Sequence, residues 1–134
     1  MAELLNEEGK TKKYLKLADL PAYTCSFYLS NKVWDRVLTW DYFARKTVGD
    51  QWVRSVDSIS ANIAEGFGRY HKKDKVHFYH IASGSVMESL DWLEKSKCRK
   101  LINETVYKEF LEILLDLKKQ INSLVRFTRE RLDL

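Results

Sequence analysis

Ser58-Ile59-Ser60-Ala61-Asn62-Ile63-Ala64-Glu65-Gly66-Phe67-Gly68-Arg69 is the stretch that decides the fold. Ile59, Ile63 and Phe67 recur at steps of four, and Ala61 and Ala64 are small enough for close helix approach. Ser58, Asn62 and Glu65 are spaced to share a second face. An apolar stripe beside a polar stripe predicts a helix that packs on one side and hydrogen-bonds on another. Gly66 and Gly68 supply the backbone freedom that ends it. The stretch holds no catalytic signature.

Upstream, Trp52 and Val56 extend the same stripe. A break is expected at residues 47–50, with Thr47 or Asp50 capping this second helix. The first helix is expected to begin near Asp19-Leu20-Pro21, with Asp19 as its cap and proline tolerated in its first turn. Leu20, Tyr23, Phe27, Trp34, Val37 and Leu38 keep helical spacing to about Trp40, or on to Lys46. Downstream, a third helix should start between Lys72 and Asp74. Its face is read as Phe78, Ile81, Ala82, Ser85, Ser89, Trp92 and Leu93, widened by Val76, Tyr79, Val86 and Leu90. Lys95, Lys97, Arg99 and Lys100 crowd its end, where cations favour the helix dipole. Asn103 is the expected cap of a fourth helix, striped by Val106, Phe110, Ile113, Leu114, Leu117, Ile121, Leu124 and Val125. Continuous over residues 104–130, that rod is roughly 40 Å long. Long helices with short connections predict an all-α, antiparallel up-down-up-down four-helix bundle over residues 17–134. A flexible basic arm over residues 1–16 is expected to precede it.

Composition agrees with one folded domain. The chain has 134 residues, 45% of them hydrophobic, with Pro 1 and Gly 5, which suits a few long helices. No run nears the roughly 18 apolar residues of a membrane span, and the N-terminus lacks the order of a signal peptide. Cys25 and Cys98 are far apart and in no metal spacing, so reduced thiols and a cytoplasmic location are expected, with no membrane partner and no cofactor. The net charge of +4 permits a polyanion partner without demanding one.

Three groups of polar residues are candidates for function. Asn62 and Glu65 on the second helix are expected to face the third, with Glu65 low near the connection and Ser85 and Glu88 higher on the opposite helix. Paired carboxylates there suit acid-base work or a metal clamp; a polar layer fixing register, with Ser58 and with Arg54 or Arg69 pairing a carboxylate, is the plainer alternative. His77 and His80, with His71 and Asp74 nearby, suit a weak metal site or a solvated face. The basic residues gain meaning once topology is imposed. The arm, the connection between the second and third helices and the end of the fourth share one pole. It collects Lys10, Lys12, Lys13, Lys16, Arg69, Lys72, Lys73, Lys75, Arg126, Arg129 and Arg131 against Asp19, Asp74, Glu130 and Asp133. Such a pole suits phosphate, with Tyr70 and Tyr14 available to stack on bases; ordinary helix-end cations are the alternative. Most of the many aromatics are expected in the core; those of Trp40, Tyr42, Phe43, Trp52 and Trp92 not needed inside are candidates for a subunit interface.

Residues 54–88 resemble a family of small bacterial four-helix bundles: the proteins encoded in intervening sequences of large-subunit rRNA genes, and the accessory variability determinants of diversity-generating retroelements. The resemblance is carried by Arg54, Ser58-Ile59, Ala61-Asn62-Ile63-Ala64-Glu65-Gly66, Gly68-Arg69, Phe78, Ile81-Ala82, Gly84-Ser85 and Glu88. Ser60 stands where the family usually has proline, so a straighter second helix is expected. The resemblance implies self-assembly into a ring, commonly of five subunits, and no enzyme activity. Its retroelement side implies binding to a reverse transcriptase and to RNA or DNA. The expected function is therefore a non-enzymatic, homo-oligomeric bundle that binds nucleic acid or a nucleic-acid-processing protein through the basic pole. The alternative is a structural protein–protein assembly module with no nucleic-acid affinity; a metal-dependent enzyme is the third.

Overall fold

A computed structural model of the chain describes residues 4–5, 11–12 and 16–131. A minimal antiparallel pairing of Leu4–Leu5 with Thr11–Lys12 and a single 3-10 turn, Leu17–Asp19, precede the bundle. The rest of the basic arm expected over residues 1–16 lies outside the described residues, apart from Lys16.

Four long helices follow: α1 (Pro21–Val37), α2 (Asp50–Gly68), α3 (Lys72–Cys98) and α4 (Glu104–Arg131). Each packs on two neighbours. α1 and α3 both contact α2 and α4 and stand diagonally across the bundle, as an up-down-up-down order requires. Trp52 lies at the centre, fully buried, stacked on Trp40 at 5.8 Å and edge-on to Phe110 at 5.3 Å. Of the three tryptophans named as interface candidates, Trp40 and Trp52 are therefore core, and Trp92 is half-buried. Leu29, Val33, Ile59, Ile63, Leu93, Leu114, Leu117 and Ile121 complete the interior.

The first break differs from the expected one. α1 stops at Val37, and the chain turns over residues 38–41. Asp41 then caps a new helical turn, Tyr42–Ala44, accepting from the Ala44 N–H at 2.9 Å. That turn runs through a π-helical segment, Arg45–Gly49, directly into α2. Thr47 and Asp50 are therefore not caps. The Thr47 hydroxyl donates back to the Phe43 carbonyl at 2.7 Å, and Asp50 pairs with Arg54. Gly49 is helical and buried because α1 passes close by. A Cβ there would sit 2.6 Å from Val37 Cγ1. The turn signals at residues 47–50 serve close packing instead of chain reversal.

Gly66 corrects the reading of the opening stretch in the same way. It does not stop α2; it lets α3 cross. A Cβ on it would lie 2.7 Å from Tyr79 Cε1 and 3.0 Å from the Lys75 carbonyl oxygen. α2 ends two residues later, at Gly68. Asp19 likewise is not the first residue before α1: Leu20 holds that place, and Asp19 accepts from the Lys16 N–H at 2.9 Å.

On α3 the buried face is Val76, Tyr79, Ala82, Val86 and Leu93, with Ser85, Ser89 and Ser96. Phe78 is half-buried and Ile81 exposed, so the face is turned from the expected centre. α3 closes with Lys100 in the left-handed region at φ 61 and with the Leu101 N–H bonded to the Ser96 carbonyl at 2.9 Å. Asn103 caps α4 as expected, accepting from the Val106 N–H at 2.8 Å.

Candidate nucleic-acid interface

The α2–α3 connection, residues 69–71, and the last turns of α4 meet at one end of the bundle. The Lys72 ammonium donates to the Arg129 carbonyl at 3.0 Å, and the Arg129 guanidinium lies 3.4 Å from His80 Nε2. The start of α1 belongs to the same end. A cleft of about 440 Å³ runs between Leu20, Pro21 and Ala22 on one side and Gln120, Leu124 and Phe127 on the other. Exposed Lys16, Lys73, Arg126 and Arg131 stand at this end with Arg69, Lys72 and Arg129. Lys12 lies in the short paired segment and Lys13 outside the described residues, as do Lys10, Tyr14 and Asp133.

Two of the expected phosphate contacts change character. Lys75 is 3% exposed. Its ammonium donates to the Phe67 carbonyl at 2.6 Å and sits over the Phe67 ring, and burial pushes its pKa down. It closes the end of α2 and is withdrawn from the nucleic-acid set. Arg69 is exposed but engaged: it pairs with Glu65 at 2.7 Å and stacks 4.6 Å from the centre of Phe78. The Glu65 carboxylate offsets the Arg69 charge, which weakens Arg69 as a phosphate contact. No side chain caps the N-terminus of α3.

The expected polar layer divides. Ser58 and Ser85 share a hydrogen bond at 2.8 Å, and the Asn62 amide donates to the Ser58 carbonyl and hydroxyl. Arg54 pairs with Asp50 at 3.2 Å on the outer surface. Glu88 is exposed on α3, and Glu65 faces Arg69, so the two carboxylates form no pair. Ser55, absent from the expected layer, joins it through Ser89 of the expected α3 face: their hydroxyls meet at 3.1 Å in the core, and Ser89 also donates to the Ser85 carbonyl at 2.8 Å. The signal for Ser55 is present in the sequence, because it precedes Ser58 and Asn62 at helical steps of three and four. This seam ties α2 to α3 and sets their register.

His71, His77 and His80 are spread along the surface. His71 meets Tyr70 and His77 meets Phe78, each edge-on. Among the described residues, no group of His, Cys, Asp and Glu is placed to hold a metal ion, and no helix is long and apolar enough to cross a membrane.

A family model described as 23S rRNA-intervening sequence protein matches residues 18–123, nearly the whole of the bundle just described. The chain belongs to this family. Membership agrees with the intervening-sequence side of the resemblance carried by residues 54–88. A crystal structure of a protein of unknown function from the S23 ribosomal protein family of Bacteroides thetaiotaomicron VPI-5482 has the same fold. Its TM-score is 0.70 at 20% identity, covering 78% of this chain and 97% of that one. No curated protein matches by sequence.

Proposed function

We propose that this family member is a non-enzymatic, self-associating bundle whose basic end holds nucleic acid by its phosphates. The observation that carries the reading is the meeting of Lys72 with Arg129. It brings the α2–α3 connection and the end of α4 together, so Lys72, Lys73, Arg126, Arg129 and Arg131 act on one ligand. Nothing in this set is arranged to read base edges, so affinity is carried by charge and falls with salt.

Self-association multiplies that charge. Phe27 and Trp34 on α1, with Leu38 just past its end, face outward, each about half exposed, and Trp34 and Leu38 line a groove with Arg45, Gly49 and Val53 of the next helical run. A second copy of the chain is the occupant that fits, since a closed ring gathers every basic end. Five copies is the number that the resemblance implies. The retroelement side of the resemblance adds a reverse transcriptase as a protein that would bring nucleic acid to this end. The same apolar surface favours the second reading, an assembly module without nucleic-acid affinity.

Filter binding of RNA and DNA at two salt concentrations, with native mass of the particle, tests both. Binding that weakens with salt and on Lys72→Ala or Lys73→Ala supports the first reading. An assembled particle with absent or salt-insensitive binding overturns it in favour of the second.

A further inference from the structure

We propose, resting on the nucleic-acid reading above, that the ligand of the basic end is an unpaired strand with one base stacked on Tyr70. Tyr70 is the middle residue of the connection between α2 and α3 and is 67% exposed. It contributes nothing to the core. Its ring neighbour is His71, met edge-to-face at 5.1 Å, so two rings stand together at the tip.

The tip is held rigidly from both sides. Gly66 brings the end of α2 against Tyr79, and Lys75 ties the Phe67 carbonyl to α3. Arg69, the residue before Tyr70, is fixed by Glu65 and by the Phe78 ring. A ring carried on so short and well-anchored a connection loses little freedom when a ligand covers it. Lys72 follows two residues later and is fixed by Arg129, so cations lie close to the ring for the phosphates on either side of a stacked base.

Such a site discriminates between strands. A duplex hides its base faces and offers only edges, in grooves that admit a helix or a ribbon. A short connection between two antiparallel helices presents neither, and reaching a base face would require unstacking. An unpaired strand exposes its base faces at no such cost. Aromatic platforms set among cations are the way proteins hold single strands without reading sequence.

Fluorescence anisotropy of the full chain with a labelled oligouridine and with a labelled duplex of equal length tests this. The unpaired strand should bind more tightly. Tyr70→Ala should weaken it by roughly fivefold or more, the loss expected for one base–aromatic stack, while Tyr70→Phe stays within about twofold. Lys72→Ala should weaken both strands. Equal loss on both strands from Tyr70→Ala, or no loss on either, overturns the stacking site and leaves the phosphate reading standing. Absence of binding by either strand overturns the phosphate reading and the stacking site with it.

Discussion

The Lys75 ammonium donates to the Phe67 carbonyl oxygen at 2.6 Å, from the first turn of α3 back to the last turn of α2. A helix leaves its last carbonyls without intrahelical partners, and a cation is the donor best suited to one of them. Lys75→Ala removes that donor and the buried stem. It should cost about 2 kcal/mol in urea unfolding, and Lys75→Met less, since it keeps the apolar packing. Neither should change the salt slope of nucleic-acid binding, whereas Lys72→Ala should lower it by about one ion. A fall in slope for Lys75→Met would return Lys75 to the phosphate contacts.

The glycines separate by what surrounds them. A Cβ on Gly66 meets Tyr79 and the backbone of Lys75, so Gly66→Ala must push α3 away and should destabilise by roughly 1–3 kcal/mol. Gly84, inside α3, has open space around it. Gly84→Ala should stabilise by about 0.5–1 kcal/mol through helix propensity alone. Thermal melts of both variants check the contrast. Equal effects would remove the close crossing of α2 and α3.

Lys100 holds a left-handed conformation at φ 61, where a side chain is strained. Lys100→Gly should stabilise by about 1 kcal/mol, near 3 °C in melting temperature for a domain of this size. A neutral or lower melting temperature would show that the Lys100 side chain contributes more than the strain costs.

Burial pushes the Tyr79 phenol well above its usual range, while it pushes Lys75 down. A raised folded-state pKa means the folded chain holds the proton more tightly. The Tyr79 contribution is therefore complete below pH of about 10 and is lost as pH climbs above that value. A lowered lysine pKa works in the opposite sense, so the comparison is made against Tyr79→Phe, in which Lys75 is unchanged. The variant should lose less stability than the parent between about pH 8 and pH 11 in urea midpoints. Parallel curves would show that Tyr79 does not ionise at a cost to the fold.

Much of the site was legible in part. The Lys72–Arg129 meeting follows from helix order alone, because an up-down path returns the end of α4 to the α2–α3 connection. Ser58, Asn62 and Ser85 announce themselves by spacing. Lys75 did not, because nothing local distinguishes it from Lys72 and Lys73. Its burial depends on where Phe67 and Gly66 of another helix come to rest. Trp40 was not legible for the same reason: a tryptophan in a turn is exposed or central according to where Trp52 and Phe110 come to rest across the bundle.

The presence of four long helices and the apolar stripes of α2 and α4 were determined by the sequence, because a helical period is written locally into every few residues and survives any arrangement of neighbours. The tertiary structure decided which glycine marks a crossing, which lysine is sealed, and which aromatic stays outside. Those outcomes depend on the distance between surfaces from separate helices, and no single stretch of chain contains that distance.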